Sequence, residues 1–519
     1  MTHDDSLLVW HRRTAWAALT IGVVAGLARA LEAVQDSLLF NDGPRFIAAA
    51  EAMLRGDWRA ALAEPYHPLT SLCAAAVSLL AGVSIESAAE SVGVIAGVVG
   101  SVSLYLLVRM QGDARVALVA GLLFAVHPRL VPISSGVQSD GLYLGLLVTA
   151  AMLAWRALRG GGLRSAAACG VVCALAYLTR PEGLLVALVL GAWLALDWLR
   201  GERRFARTLA LGATFALGLC LTAAPYVLAL HDITGTWTLT QKKSVVAIAG
   251  LDASASTVAS VVEPSASSAT PAPESSTSAP ARAQSLTMRG LAALKEVLHD
   301  FLRAFMPALL ALALLGWRRG RPSDATLYLV SYFAALAPIL LALHLHSGYV
   351  SRRHWLAAVA LLLPLAARGL LRVVDLATER VALLRRRPWL LPALGALAVV
   401  LFLADGLRPK EDPHKQARQA AAEWLRAAAR PDSVATLRAR DAYYAGATRH
   451  VALEHLGSPE ALLADARGAG ARFLLVDESL FPGPRALVPA GVVELHRVSY
   501  ASGAVLVFEL SPVSTGAAE

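Results

Sequence analysis

Long apolar runs dominate this sequence and constrain its fold more than any other feature. Eleven runs are each about as long as a helix needs to cross a bilayer. With 56% hydrophobic and 16% charged residues among 519, the composition is typical of a polytopic membrane protein and excludes a soluble core. The runs cover residues 14–34, 87–108, 115–131, 141–156, 165–179, 183–199, 207–230, 301–317, 325–345, 354–371 and 388–405.

A twelfth apolar run, residues 68–80, decides the topology. It is shorter than the others and contains Thr70, Ser71 and Ser78, which suits a re-entrant or interfacial segment better than a span. If it is not counted, the Arg-bearing connections all fall on the side of the N-terminus, which the positive-inside rule assigns to the cytoplasm. We therefore predict eleven spans, a cytoplasmic N-terminus and an exterior C-terminus.

The net charge of +9 does not indicate a nucleic-acid partner. The excess Arg lies in short connections beside the spans, where it orients helices in the bilayer. All cysteines lie inside apolar stretches, so no disulfide framework is expected. They are Cys73, Cys169, Cys173 and Cys220.

The sequence predicts two domains, a transmembrane domain over residues 1–406 and a soluble exterior α/β domain over residues 407–519. The first exterior loop, residues 35–86, contains an amphipathic pattern that predicts an interfacial helix. Residues from about 253 to 284 are an exterior insert of Ser, Ala, Thr and Pro, and they lack the large apolar residues that a folded core needs. We expect this insert to be disordered.

The apolar side of the interfacial helix carries Phe46, Ile47, Ala50, Met53, Leu54, Trp58 and Leu62. In the exterior domain, helical patterns cover residues 413–429 and 458–469. Four runs, SVATL, FLLVDE, VVELHRV and AVLVFEL, predict strands. The domain contains no Gly-rich phosphate loop and no nucleophile elbow, so we interpret it as a recognition or structural lid.

Charged residues at the exterior ends of the spans are the candidates for chemistry, and each has a structural alternative. Asp42 and Asp140 can both cap a helix, and Arg180 with Glu182 can form a local ion pair. The cluster Arg352, Arg353 and His354 begins a span on the side where basic residues are disfavoured. Its fork-shaped guanidinium groups suit a phosphate, and interfacial snorkelling is the alternative.

These segments resemble a known family. NDGPRFIAAAEAMLRGDW with PYHPL, HPRLVPISSGVQSDGLYLGLL, ALAYLTRPEGLL and GYVSRRHWLAAVALLLPLA are similar, in order and spacing, to GT-C fold glycosyltransferases that use polyprenyl-phosphate sugars. The similarity is to the protein O-mannosyltransferase and lipid A aminoarabinose transferase group. It implies a multi-pass enzyme of the bacterial inner (cytoplasmic) membrane, with Asp42 and Asp140 facing a common cavity.

The resemblance implies transfer of a sugar from a polyprenyl-phosphate donor to an acceptor hydroxyl. A carboxylate would take the hydroxyl proton, and direct displacement would invert the anomeric carbon. We assign Asp42 as the general base and Asp140 as a partner in catalysis. Cationic donors should bind the leaving phosphate. The candidates are His67, Arg352, Arg353 and His354, with Asp36, Arg180 and Glu182 as accessory residues.

Several alternatives remain open at this point. The aminoarabinose transferases tend to have Lys where this chain has His67, a difference that bears on the strength and pH dependence of phosphate binding. Two separated carboxylates predict no certain cofactor and leave a divalent cation open. The acceptor is a glycan, a lipid or a protein. A transporter or flippase of envelope glycolipids and a non-catalytic scaffold are the competing classes.

Overall fold

The computed structural model describes residues 3–35, 39–241, 286–317, 322–347, 350–387, 389–405, 412–453, 459–478 and 492–510. The predicted disordered insert and Asp36 lie outside these residues. The eleven-span count is a prediction that the helix lengths do not confirm. By length and apolar composition, seven of the described helices can cross a membrane, or eight if a pair bent by 88° is taken as one span.

The described part of the chain before residue 406 consists of helices and short helical turns. The α-helices are His3–Gln35, Gly43–Leu54, Trp58–Ala61, Leu69–Ala81, Ile85–Met110, Ala114–Ala125, Leu130–Ile133, Ser139–Arg156, Gly162–Tyr177, Leu185–Leu199, Phe205–Thr234, Leu286–Phe305, Pro307–Gly316, Asp324–Ser347, Leu356–Arg380, Ala382–Arg386 and Leu390–Asp405. Single turns of other helix types cover Ala157–Gly161, Pro181–Leu184 and Arg352–Trp355.

Breaks within the apolar runs explain part of the difference in span number. The run 115–131 is interrupted after Ala125 near Pro128, because the residue before a proline avoids the helical region. The runs 141–156 and 165–179 form two helices that pack against each other across non-helical residues at Arg159 and Gly160. The span criterion takes them as one segment of 39 residues. The helix Leu69–Ala81, with 13 residues, falls below spanning length, as the sequence predicts.

The core of the helical part lies around the helix Leu356–Arg380, which is buried almost completely from Leu356 to Ala367. This helix and Pro307–Gly316 touch through their backbones. A Cβ atom at Gly316 would lie 1.9 Å from the Leu365 carbonyl oxygen, and one at Gly369 would lie 1.8 Å from that of Leu312. Only glycine permits this approach. The contact fixes the helix that directly follows the Arg352–Trp355 turn.

The interfacial helix of the first exterior loop exists, as Gly43–Leu54, but its apolar side faces protein. Phe46, Ile47 and Met53 pack in one buried cluster that also includes Ala74 and Ala75 of the helix Leu69–Ala81. The prediction that Leu54 and Trp58 share this apolar side is wrong. The helix ends at Leu54, Gly56 adopts a φ of 77°, and both side chains are exposed.

The C-terminal part contains a five-stranded mixed sheet in the order β2-β1-β3-β5-β4. The strands are β1 Ser433–Thr436, β2 Arg449–Ala452, β3 Phe473–Asp477, β4 Val492–Tyr500 and β5 Gly503–Leu510. β1 is parallel to β2 and β3, whereas β5 is antiparallel to β3 and β4. The helices are Pro413–Ala429, Ala439–Tyr444 and Pro459–Gly468. The small α/β sheet domain is therefore confirmed, and the sequence missed only Ala439–Tyr444 and β2 among its described elements.

Candidate functional site

Asp42 lies in a tight turn before the helix Gly43–Leu54. The Gly43 amide donates to the Phe40 carbonyl at 2.9 Å, and this bond closes the turn. Asp42 occupies the N-cap position, but its side chain makes no capping hydrogen bond. The capping interpretation is therefore wrong, and the carboxylate, 31% exposed, is directed to tertiary partners.

Two side chains face the Asp42 carboxylate. Oδ2 of Asp42 lies 3.9 Å from Nη1 of Arg353, and the Tyr66 hydroxyl lies close enough to the carboxylate to interact with it electrostatically. Burial, followed by the Asp42 charge, raises the pKa of Tyr66 to about 12. Tyr66 therefore stays protonated and serves as a hydrogen-bond donor at any physiological pH.

Asp140 lies in the first turn of the helix Ser139–Arg156, but the N-cap of that helix is Gln138. The interpretation of Asp140 as a plain N-cap is therefore wrong. Its carboxylate is only 6% exposed, and Oδ1 accepts a hydrogen bond from Nη1 of Arg180 at 2.8 Å. Oδ2 lies 3.8 Å from Nη1 of Arg353. Asp140 is a buried carboxylate held between two guanidinium groups.

Arg180 is the most constrained member of this group. It pairs with Asp140 and also with Glu182 at 3.1 Å, and its guanidinium lies 5.8 Å from the centre of the Tyr143 ring. Burial alone would disfavour its charge, but the two carboxylates more than offset this and raise the pKa of Arg180. The predicted local pair with Glu182 therefore exists, and Asp140 joins it.

Arg353 connects the segments that carry these acids. The same Nη1 atom lies near both Asp42 and Asp140, and it donates to Oε1 of Gln138 at 3.5 Å. A reciprocal capping box between Ser351 and His354 holds the short turn that carries Arg353. The buried Trp355 anchors this turn against Phe301 and Phe333. We call Asp42, Asp140, Arg180, Glu182 and Arg353 the acid–arginine cluster.

The other predicted site residues lie beside this cluster or away from it. Arg352 is exposed and makes no ion pair or hydrogen bond with any described residue. His354 uses Nδ1 in the cap with Ser351 and lies close enough to Arg180, Glu182 and Asp140 to interact with them electrostatically. His67 is buried between the rings of Tyr177 and Tyr226, with Nε2 3.1 Å from the Thr240 hydroxyl.

Sequence reasoning missed Tyr66, Gln138 and Tyr143 as neighbours of the cluster. Tyr66 stands directly before His67 in PYHPL, and Gln138 stands two residues before Asp140, so position within the motifs was the available signal. Within the described ranges, no group of three or more His, Cys, Asp or Glu side chains is placed to hold a metal ion.

Comparison with known proteins adds independent findings. Residues 64–227 match the family described as dolichyl-phosphate-mannose-protein mannosyltransferase. No curated protein matches the chain in sequence. In structure, the chain is similar to ArnT from Cupriavidus metallidurans bound to undecaprenyl phosphate, with a TM-score of 0.57 and 14% identity over 97% of this chain and 98% of that one.

Two further structures show the same likeness. The apo state of the same ArnT has a TM-score of 0.52 at 14% identity, with 97% of this chain and 98% of that one covered. The Archaeoglobus fulgidus oligosaccharyltransferase in complex with Zn and sulfate has a TM-score of 0.50 at 14% identity, with 89% of this chain and 68% of that one covered. At this level of identity the structures establish a shared fold. Together with the family match over residues 64–227, they confirm the resemblance drawn from the motifs: the chain has the GT-C fold of the multi-pass membrane glycosyltransferases to which it is similar.

Proposed function

We propose that this protein transfers a sugar from a polyprenyl-phosphate donor to an acceptor hydroxyl at the exterior face of a bacterial inner membrane, with inversion and with Asp42 as general base. The observation that carries the proposal is the position of Arg353 between Asp42 and Asp140, at 3.9 and 3.8 Å. A guanidinium is the kind of cation that a phosphate needs, and this one lies beside a carboxylate that has no capping role, which supports the proposal.

The comparisons support a lipid-phosphate donor. The matched family is described by dolichyl-phosphate-mannose, and a similar structure holds undecaprenyl phosphate. Both lipids are long isoprenoids that carry a phosphate at one end, and in the first of them the phosphate also carries the sugar. The sugar and the acceptor stay open, and the acceptor hydroxyl belongs to a glycan, a lipid or a protein.

Burial separates the roles of the two carboxylates. Asp140 is 6% exposed and accepts a hydrogen bond from Arg180 at 2.8 Å, so an acceptor hydroxyl cannot reach it without breaking a buried ion pair. Asp42 is 31% exposed, and its nearest cation lies beyond hydrogen-bond distance at 3.9 Å. A general base must reach the proton that it removes. We therefore assign the base to Asp42 and the orientation of Arg353 to Asp140.

The proposed reaction balances as one displacement. The acceptor oxygen attacks the anomeric carbon while Asp42 takes its proton, and the bond between that carbon and the phosphate oxygen breaks. The polyprenyl phosphate leaves as an anion that needs hydrogen-bond donors instead of a proton. Arg353 is 43% exposed and held only loosely, so its fork can reach the phosphate. Arg352 is its neighbour on the same exposed turn.

The orientation in the membrane is part of the proposal. The acid–arginine cluster lies at the start of the helix Ser139–Arg156, and Arg159 lies just beyond the other end, where it pairs with Asp324 at 2.6 Å. The two groups therefore occupy opposite ends of the helical part. The Arg-rich end fits the cytoplasmic side by the positive-inside rule, and the cluster then faces the exterior.

A transfer assay with matched variants tests the proposal. The purified protein in lipid nanodiscs would receive undecaprenyl phosphate linked to 4-amino-4-deoxyarabinose or to mannose, with a lipid A or peptide acceptor. Release of undecaprenyl phosphate and the anomeric configuration of the product would be measured. Asp42→Asn should lower the rate by roughly 10²- to 10⁴-fold.

Glu51→Gln is the matched control, because Glu51 is an exposed acid of the same loop whose one ion pair among the described residues is with Arg55, at 4.0 Å. It should keep transfer close to the wild-type rate. Full activity of Asp42→Asn, or a product with retained configuration, would rule out the proposed base and mechanism. Failure of the wild type to use either donor would rule out these two sugars as substrates.

A further inference from the structure

The C-terminal domain makes two hydrogen bonds to the backbone of Leu39, three residues before the candidate base Asp42. The Leu39 amide donates to the Tyr444 hydroxyl oxygen at 2.8 Å, and the Leu39 carbonyl accepts from Nη1 of Arg440 at 3.3 Å. Both partners lie on the short helix Ala439–Tyr444, some four hundred residues later in the chain. Both backbone polar groups of Leu39 are therefore satisfied by the other domain.

The short helix that makes these two hydrogen bonds is held by contacts in the interior of the C-terminal domain. Arg440 is buried, with Nε 3.7 Å from Oδ1 of Asp441. Asp441 in turn accepts hydrogen bonds from Arg418 and, at 3.2 Å, from the Thr436 hydroxyl at the end of β1. Burial raises the pKa of Tyr444 to about 12, so its hydroxyl stays neutral. These buried contacts therefore hold the helix Ala439–Tyr444 in a fixed position relative to the sheet.

On its other side, the same turn packs against the segment that leads to Asp140. A Cβ atom at Gly43 would lie 3.3 Å from both the Leu39 side chain and the Val137 carbonyl oxygen. The Phe40 ring lies so close to Gly136 that a Cβ atom there would be 2.7 Å from it. The turn from Leu39 to Gly43 is thus held between the C-terminal domain and residues 136–137. Asp42 lies inside this turn.

We propose that the C-terminal domain is part of the catalytic unit, with Tyr444 and Arg440 acting as positioning residues that fix Asp42 relative to Asp140 and Arg353. The proposal rests on the function proposed above. Neither residue contacts the acid–arginine cluster directly, so each acts through the Leu39 backbone. A domain that only covered the site would have no need for hydrogen bonds to the backbone of this turn.

Two adjacent tyrosines allow a matched test. Tyr444→Phe removes the hydroxyl that accepts from Leu39. Tyr443→Phe removes the same group from the preceding residue, whose hydroxyl interacts electrostatically with Glu86, whereas the Leu39 amide bonds Tyr444. Hydrogen exchange of the peptide that contains Leu39, measured on the full-length protein by mass spectrometry, should speed up in Tyr444→Phe and stay unchanged in Tyr443→Phe. This measurement needs no substrate.

Turnover with the two undecaprenyl-phosphate sugars gives the second readout. Tyr444→Phe should lower kcat by about threefold to tenfold, the effect of one lost neutral hydrogen bond, with KM for the donor unchanged. Because the effect acts through Asp42, adding Tyr444→Phe to Asp42→Asn should cause no further loss. Tyr443→Phe should stay within about twofold of the wild type, the scatter expected when no interaction with the site is removed.

The outcomes separate the two proposals. Unchanged exchange at Leu39 in Tyr444→Phe, or an equal loss of rate in the Asp42→Asn background, would overturn the positioning role. Full activity of Asp42→Asn would overturn the proposed base instead. In that case the exchange data would still decide whether the C-terminal domain holds the turn.

Discussion

Arg353 and Arg352 form a natural pair for testing which guanidinium holds the donor phosphate. They are adjacent, identical in type and carried by the same short turn. Arg353 lies between Asp42 and Asp140, whereas Arg352 is exposed and has no ion pair with a described residue. We therefore propose that Arg353, more than Arg352, makes the main phosphate contact. Arg353→Lys keeps the charge and loses the two-pronged geometry.

The expected size follows from the contacts. One hydrogen bond to a charged group contributes about 1.5–3 kcal/mol. Loss of one prong should therefore weaken binding of undecaprenyl phosphate by about 10- to 100-fold. Arg352→Lys changes an exposed side chain, for which charge interactions are worth at most about 1 kcal/mol, so binding should change by less than about fivefold.

Native mass spectrometry of the detergent-solubilised protein, titrated with undecaprenyl phosphate, would measure both variants on one scale. Arg353→Ala and Arg352→Ala would extend the series and show whether charge or shape matters. Equal weakening in the two Lys variants, or a larger effect at Arg352, would refute the argument from the acid–arginine cluster. Unchanged binding in all four variants would mean that the turn only anchors its helix.

Two further predictions concern stability and orientation. Arg180→Met leaves the buried Asp140 without its 2.8 Å partner and should destabilise the protein by about 3 kcal/mol, measured as a lower thermal midpoint in detergent. Arg55→Met, which breaks only an exposed pair, should have little effect, and equal midpoints would show that the buried pair adds nothing. In a Cys220→Ser background, an impermeant maleimide should label Glu423→Cys in intact spheroplasts and Arg164→Cys only after lysis; the reverse pattern would invert the proposed topology.

Sequence reasoning found most of the candidate cluster because its members break patterns. Arg353 is a basic residue at a predicted exterior span start, and Asp42 and Asp140 stand at predicted helix starts, so each residue was conspicuous on its own. The link between Asp140 and Arg180 was not predictable, because it joins two turns that are 40 residues apart. The capping interpretations failed for the same reason: local rules do not see partners supplied by tertiary packing.

The fold, like the cluster, was predictable from the sequence only in part. Long apolar runs and regular alternation predicted the helical part and most of the sheet. The missed helix Ala439–Tyr444 has six residues, too few to show a helical period, and the missed strand β2 lies at the edge of the sheet, where little of it is buried. That short helix supplies both contacts to Leu39. The element with the weakest sequence signal therefore carries the link between the two parts of the chain.

Asp42 and Asp140 lie beyond hydrogen-bond distance of Arg353, at 3.9 and 3.8 Å. This spacing bears on how the lipid phosphate is released after the proposed transfer. A polyprenyl-phosphate sugar is a phosphodiester with one negative charge, but the polyprenyl phosphate left after transfer is a monoester with roughly −1.5 to −2 at neutral pH. An arginine without other partners would hold this product more tightly than the donor and slow each cycle. The Asp140 carboxylate, at 3.8 Å, competes for the same guanidinium throughout, and Asp42, at 3.9 Å, competes again once it has released the proton taken from the acceptor. In the proposed reaction, Arg353 returns to these two residues as the lipid phosphate departs.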